Sequence, residues 1–356
     1  MLIATFENFD RFDEHRWDFQ CTFSECEGDF EILLCVDRIK VIHIYLFIHI
    51  NMKKISKNSM NHYDIVIPSG APIYPSTHDD WFQFPYILLS VAKKNSGKTC
   101  SLSNFLHIQH KMDRLDRLIL VSPTYNTNSH YFKGLPIDSK DVLEPSMSCA
   151  SKIMEIVEEE AKLFDAYHDD LIAWKHLQAE LKSNKNIEDI DENLLLQNHT
   201  MERPKYKYMR NNQPYKPVLT VFYDDCQSTD AFSPSRKNRL NFLAIKHRHV
   251  GSVRHGDGKS IGINIMIAVQ NYTTASQGLS KTIRGNCNIL CLFRNKSENE
   301  MKLIAEEVSG EVDKETFFKV FEEATSVPYG FLTIDLNPKK TVKSIFRRSW
   351  NEYLFV

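Results

Sequence analysis

The stretch from Phe84 to Thr99 constrains the fold more than any other part of this chain. Phe84–Val91 (FPYILLSV) is a short, nearly continuous apolar run, the pattern of a strand covered on both faces. It passes directly into Ala92–Thr99 (AKKNSGKT) and then into a segment that reads as a helix from Thr99 to about Met112. Further short apolar runs follow at Leu118–Val121, Val218–Tyr223, Ile263–Val269, Asn288–Phe293 and Tyr329–Asp335, with helical stretches between them. Short strands alternating with helices predict an α/β fold, a mostly parallel sheet with helices on both faces.

The chain has 356 residues, enough for one large α/β domain or two ordinary ones. Apolar residues make up 42% and charged residues 25%, which excludes collagen-like and wholly disordered chains. Lys and Arg number 44 against 46 Asp and Glu, a net charge of −2, so any contact with nucleic acid needs a local basic patch. The cysteines (Cys21, Cys26, Cys35, Cys100, Cys149, Cys226, Cys287, Cys291) form no CxxC pair and read as reduced residues, mostly of the core. The first ten residues lack the basic and apolar regions of a signal peptide, and the most apolar run, Val41–Ile50, is half the length of a membrane span. The expectation is a soluble, intracellular protein.

Two segments break the rhythm. Residues 1–59 carry three of the cysteines and end in a polar linker between Met52 and Met60. They read either as an appendage, or an artefact of start-site assignment, ahead of a core domain spanning 60–356, or as a small β-rich subdomain. Intact-mass measurement of the natural protein separates these, and Tyr63–Pro68 reads as the opening strand of the core. From Lys152 to Lys182 the chain places Phe164, Tyr167, Leu171, Trp174, Gln178 and Leu181 three and four apart on a long charged helix. With the acidic stretch after it, the block at about 150–200 reads as a helical insertion projecting from the sheet.

The loop after the first strand meets the pattern G-x-x-x-x-G-K-[ST] at Gly97, Lys98 and Thr99, with Ala92 in place of the first glycine. In such a loop the backbone amides of Ala92, Lys93, Lys94, Asn95, Ser96 and Gly97 wrap a phosphate, helped by the positive end of the following helix. Lys98 neutralises the β and γ oxygens of ATP, and the Thr99 hydroxyl contributes to a Mg²⁺ shell. The second half of such a site needs carboxylates. Val218–Tyr223 runs into Asp224 and Asp225, the first placed to hold Mg²⁺ and the second to polarise an attacking water as general base. Ile263–Val269 ends in Gln270, positioned to sense the γ-phosphate or orient that water. Arg284 is a candidate finger reaching a neighbouring subunit's nucleotide.

Taken together, Ala92–Thr99, Leu120–Thr124, Phe222–Asp225, His247–His249, Val269–Tyr272, Gly278–Cys287 and Phe346–Arg348 resemble the FtsK–HerA superfamily, and within it the genome-packaging ATPases of virophages, polinton-like viruses and related large DNA viruses. The resemblance covers residues 62 to 356, with Gln270–Asn286 its most specific part. It departs at Ala92 and at Asp225, where the pattern has Glu, and residues 1–59 match nothing in it. The resemblance implies a RecA-like P-loop core and a ring of roughly five or six copies of the chain. It further implies ATP-driven pumping of double-stranded DNA into a preformed capsid, with the capsid vertex as partner and the virion or viral factory as location.

A DNA contact in a chain of this charge falls to Lys246–Lys259, where Lys246, Arg248, Arg254 and Lys259 stand among histidines and glycines and predict a flexible basic loop lining the ring's pore. Lys237 and Arg239 extend the patch. Three alternatives stay open: another DNA pump of the same superfamily, a nucleotide or small-molecule kinase built on the same loop, and a scaffold that binds nucleotide without hydrolysing it.

Overall fold

The computed structural model describes residues 74–355 except 184–189, 199–201, 274–278, 296, 309 and 311, together with the backbone of four short strands before residue 48. The chain divides into two compact units, 1–66 and 67–356. In the first, β1 (Asp10–Phe12) pairs antiparallel with β2 (Arg16–Asp18), and β3 (Glu31–Val36) with β4 (Ile42–Phe47). The expected strand Tyr63–Pro68 and the linker before it lie outside the described residues.

The second unit is built on a nine-stranded sheet. Six strands run parallel: β5 (Ile87–Val91), β6 (Arg117–Val121), β7 (Val142–Leu143), β10 (Leu219–Asp224), β11 (Ile263–Val269) and β12 (Ile289–Phe293). After them β13 (Phe331–Asp335), β14 (Phe346–Arg348) and β15 (Glu352–Leu354) add an antiparallel flank, giving the order β15-β14-β13-β12-β5-β11-β10-β6-β7. A separate two-stranded ribbon, β8 (Met209–Arg210) with β9 (Gln213–Pro214), precedes β10. The helices are α1 (Lys98–Lys111), α2 (Tyr125–Asn128), α3 (Cys149–Lys182), α4 (Glu192–Gln197), α5 (Leu240–Lys246), α6 (Lys281–Gly285), α7 (Glu298–Glu307) and α8 (Lys314–Ala324). This is the α/β P-loop architecture that the alternation of apolar runs and helices predicts, with β11 interposed between the loop-bearing strand and the acid-bearing one.

Every residue of β5, β6, β10, β11 and β12 is buried, because helices cover both faces. Alternate side chains go to opposite layers. Ile87, Leu89 and Val91 join Ile265, Ile267 and Val269 under α3, α5, α6, α7 and α8, while Leu88, Met266 and Ala268 face α1. On the α1 side, Phe105 lies among Trp81 (5.1 Å between ring centroids), Phe82, Tyr86 and Trp350 (4.6 Å).

Two strand boundaries differ from expectation for local reasons. Pro85 has no amide hydrogen, and the Tyr86 amide donates to the Asn264 side chain rather than to the ladder, so β5 begins at Ile87 and not Phe84. Tyr329 takes a left-handed backbone (φ 60°) and Gly330 closes a turn, so β13 begins at Phe331.

The long helix also differs. It starts at Cys149 and runs 34 residues, roughly 50 Å. Its first half packs into the sheet's main core through Cys149, Ala150, Ile153, Val157, Ala161 and Phe164 rather than standing clear of it. The apolar stripe continues to Leu171 and then to Leu177, which is buried in place of the expected Gln178. Glu160, fully buried on this helix, receives Arg117 of β6 (2.5 Å) and Lys207 (2.5 Å), and Arg117 also holds Asp141 through two nitrogens (2.8 and 2.6 Å). Within the described residues, no helix is long and apolar enough to cross a membrane.

Candidate functional site

The loop Ala92–Thr99 leaves the carboxyl end of β5 and winds into α1. Gly97 caps the helix with φ 83°, a left-handed conformation that a Cβ would strain, and Asn95 adopts φ 64°, which its short amide side chain tolerates. Ala92, where the pattern has its first glycine, is not among the left-handed residues. Its amide donates to the Val269 carbonyl (3.0 Å) and its methyl is buried in the α1-side core, so this position asks nothing that alanine lacks. Ser96 turns back on the Lys93 carbonyl with both its amide and its hydroxyl (2.7 Å for the latter).

Two strands away, β10 delivers the acids. The Thr99 hydroxyl donates to Asp224 Oδ1 (3.1 Å), and Lys98 Nζ sits 3.3 Å from Asp225 Oδ1. From β11, Gln270 Nε2 donates to the same Asp225 oxygen (3.1 Å). Lys98, Thr99, Asp224, Asp225 and Gln270, picked from three separate stretches of sequence, therefore meet at one edge of the sheet. A cavity of about 230 Å³ opens there, lined by the loop from Lys93 to Cys100 with Asp225, Gln270, Asn128 and Tyr131.

The two carboxylates differ sharply. Asp224 is fully buried, and burial pushes its pKa up to about 6 against the pull of Lys98 and Thr99. Among the described residues, its Oδ2 has no hydrogen-bond partner. A buried, unpaired carboxylate oxygen beside a threonine hydroxyl is what a hard, oxygen-seeking divalent cation requires, so these residues fit Mg²⁺. Asp225 leaves the strand with φ 56° and turns its carboxylate toward the cavity. Burial alone would raise its pKa, but the Gln270 amide and the Lys98 ammonium together hold it below the usual carboxylate range.

Sequence reading passed over Gln227 and Glu300, which help fix this arrangement. Gln227 accepts the amides of Gln270 (2.8 Å) and Asn271 (3.0 Å) and donates back to the Asn271 carbonyl (3.0 Å), bridging the ends of β10 and β11. Lys93 reaches the Asn271 side chain and lies 3.7 Å from Glu300, which also receives the Tyr272 amide. No spacing marks Gln227 or Glu300, because their partners come from elements far apart in sequence.

The other two expectations fall away from the cavity. Arg284 on α6 is paired in its own chain, with Glu307 at 2.9 Å, the Leu279 carbonyl at 2.9 Å and the Tyr272 ring 5.1 Å from its guanidinium carbon. The basic segment 246–259 is not a free loop. It folds as a hairpin with a bridge between Ser252 and Ser260, and Val250 and Val253 are buried. Asp165 of α3 takes the Arg254 amide (2.9 Å), while Asp169 takes the Arg254 guanidinium (2.6 Å) and His255 (2.7 Å). A count of cations along the loop misses the acids facing it from the long helix. Lys259 stays exposed on the hairpin, and a cluster of exposed cations surrounds α5: Lys237, Arg239, Lys246 and Arg248, with Arg239 and Lys246 both over the half-open Phe242 ring.

No protein-family model matches the sequence, and no curated protein matches it. Solved structures similar in outline include the genome packaging NTPase of Sulfolobus turreted icosahedral virus 2 in complex with ATP-gammaS, at 12% identity and a TM-score of 0.38, covering 76% of this chain and 98% of that one. The pCW3 conjugation coupling protein TcpA is 14% identical with a TM-score of 0.38, covering 94% of this chain and 86% of that one. The EccC protein of Thermomonospora curvata (ATPases 2 and 3) is 11% identical with a TM-score of 0.36, covering 76% of this chain and 37% of that one. These likenesses assign no residue a role; the roles come from the geometry of the site.

Proposed function

We propose that this chain is a P-loop ATPase that couples ATP hydrolysis to movement of double-stranded DNA, and more finely that it loads a viral genome into a preformed capsid as a ring of identical subunits. The observation that carries the ATPase reading is the meeting of Lys98, Thr99, Asp224, Asp225 and Gln270 at the carboxyl ends of three adjacent strands. The loop amides and Lys98 bind and orient the triphosphate. A divalent cation held by Thr99 and Asp224 would supply charge neutralisation at the β and γ oxygens. Asp225, kept ionised and aimed by Gln270, accepts a hydrogen bond from the attacking water. Phosphoryl transfer passes through a loose transition state, so orienting that water matters more than the basicity of the carboxylate.

DNA as the moved substrate, the ring, the trans-acting finger at Arg284 and the capsid vertex rest on the resemblance of the motif series. The exposed cations around α5 support a phosphate-backbone contact without base reading. Steady-state phosphate release by wild type, Lys98→Ala and Asp225→Asn, with and without long double-stranded DNA, tests the proposal. Hydrolysis stimulated by DNA in wild type and lost by at least about a hundredfold in both variants is expected. Hydrolysis that survives Lys98→Ala would place the chemistry elsewhere.

A further inference from the structure

The catalytic groups account for the triphosphate end of a nucleotide and leave the base without a seat. The order β13-β12-β5-β11-β10-β6 gives the direction in which that base must lie. Asp225 and Gln270 hang from β10 and β11, on one side of the loop-bearing strand, so the γ-phosphate points that way and the base leaves toward β12 and β13. β13 runs antiparallel to β12, with Phe331 opposite Phe293, while Leu292 lies opposite Val91. The turn before β13 is thereby delivered to the same edge as the phosphate loop.

Tyr329 stands on that turn. Its side chain is 72% exposed, and among the described residues its hydroxyl has no hydrogen-bond partner and its ring no aromatic neighbour. It nevertheless lies against the loop: a Cβ built on Gly97 would meet Tyr329 Cδ1 at 3.2 Å. The backbone at Tyr329 is left-handed (φ 60°), which a bulky residue rarely adopts and which surrounding structure must enforce. Gly330 does so. Its amide donates to the Val327 carbonyl (3.0 Å), and a Cβ there would come within 2.6 Å of the Ala324 carbonyl, so the turn admits little else. A strained, tightly held turn that displays an unpartnered aromatic face beside the phosphate loop is preorganised for a flat ligand group.

We propose that Tyr329 is the stacking platform for the base of the bound nucleoside triphosphate, an inference that rests on the nucleotide reading of the Lys98 loop. Stacking reads area rather than edge pattern, so purine triphosphates bind more tightly than pyrimidine ones, with little discrimination between adenine and guanine. The test is calorimetric binding of ATP and of inorganic tripolyphosphate, which has no base, to the intact protein and its variants. Tyr329→Ala weakens ATP binding by about ten- to a hundred-fold and leaves tripolyphosphate binding unchanged, while Tyr329→Phe behaves as wild type. Tyr329→Gly separates stacking from folding, because it relieves the left-handed strain and raises thermal stability while still losing the ATP preference. Undiminished ATP binding by Tyr329→Ala overturns the proposal. So does a parallel loss of tripolyphosphate, which would make Tyr329 a prop for the loop, or a selective loss of ATP on Tyr131→Ala alone, which would move the base to the opposite flank. A wild type that binds neither ligand sinks the nucleotide site itself, and the proposal with it.

Discussion

At the scale of single residues, Asp224 shows how burial prepares a site for an ion. With its pKa raised from 3.8 to about 6, the folded protein binds a proton on this group more tightly than the unfolded chain does. Its contribution to stability is therefore greatest below pH 4, declines as pH rises toward 6, and above that leaves a cost of about 3 kcal/mol. Asp224→Asn removes that cost. In melting experiments without metal, the variant should gain stability over wild type at pH 7.5 and little or none at pH 4, and Mg²⁺ should stabilise wild type at pH 7.5 while leaving the variant unmoved. Equal metal responses in the two proteins would deny Asp224 its role as ligand. The acids and the lysine of this site were legible in the sequence because their chemistry is tied to short local strings. Gln227 and Glu300 were not, since nothing near them in sequence shows what they touch.

At the scale of elements, the long helix is the part that sequence reading misplaced. Its three-and-four spacing identified a helix, but spacing cannot say which neighbour covers the stripe, and its first half turned out to lie in the main core. The ion cluster of Arg117, Asp141, Glu160 and Lys207 pins that helix to the opening of β6. Arg117→Ala strands Asp141 and leaves Glu160 to Lys207 alone, both acids having side chains 1% exposed, and chemical denaturation should show a loss of about 3 to 5 kcal/mol. A loss below about 1 kcal/mol would mean that water reaches the cluster. The hairpin 250–260 gives a second contrast. Arg254→Ala should speed hydrogen exchange there and spare DNA stimulation, because its charge is already spent on Asp165 and Asp169. Lys246→Ala combined with Arg248→Ala should lower DNA-stimulated hydrolysis at unchanged basal rate, and equal behaviour of the two sets would return the contact to the hairpin.

At the scale of the whole molecule, the question is whether one copy suffices. Arg284 is held by Glu307 and Tyr272 of its own chain, so service to a neighbour's nucleotide requires it to exchange those contacts for a phosphate. In the proposed ring, Arg284→Ala and Asp225→Asn, each inactive alone, should recover about a quarter of wild-type hydrolysis when mixed in equal amounts, the fraction of interfaces that would join one intact finger to one intact site. No recovery after demonstrated co-assembly would confine Arg284 to its own subunit. The fold class was readable because a covered parallel strand is apolar throughout, whereas the order of strands was not, because six similar apolar runs carry no label of their neighbours.

That order sets a length. Neighbouring strands lie about 4.8 Å apart, so inserting β11 between β5 and β10 separates the strand that leads into the phosphate loop from the strand that carries the acids by roughly 10 Å. Side chains alone bridge that distance, so the contacts of Lys98 and Thr99 with the two acids can part around a ligand while the strands stay where they are, with Gln270 at the tip of the spacer between them.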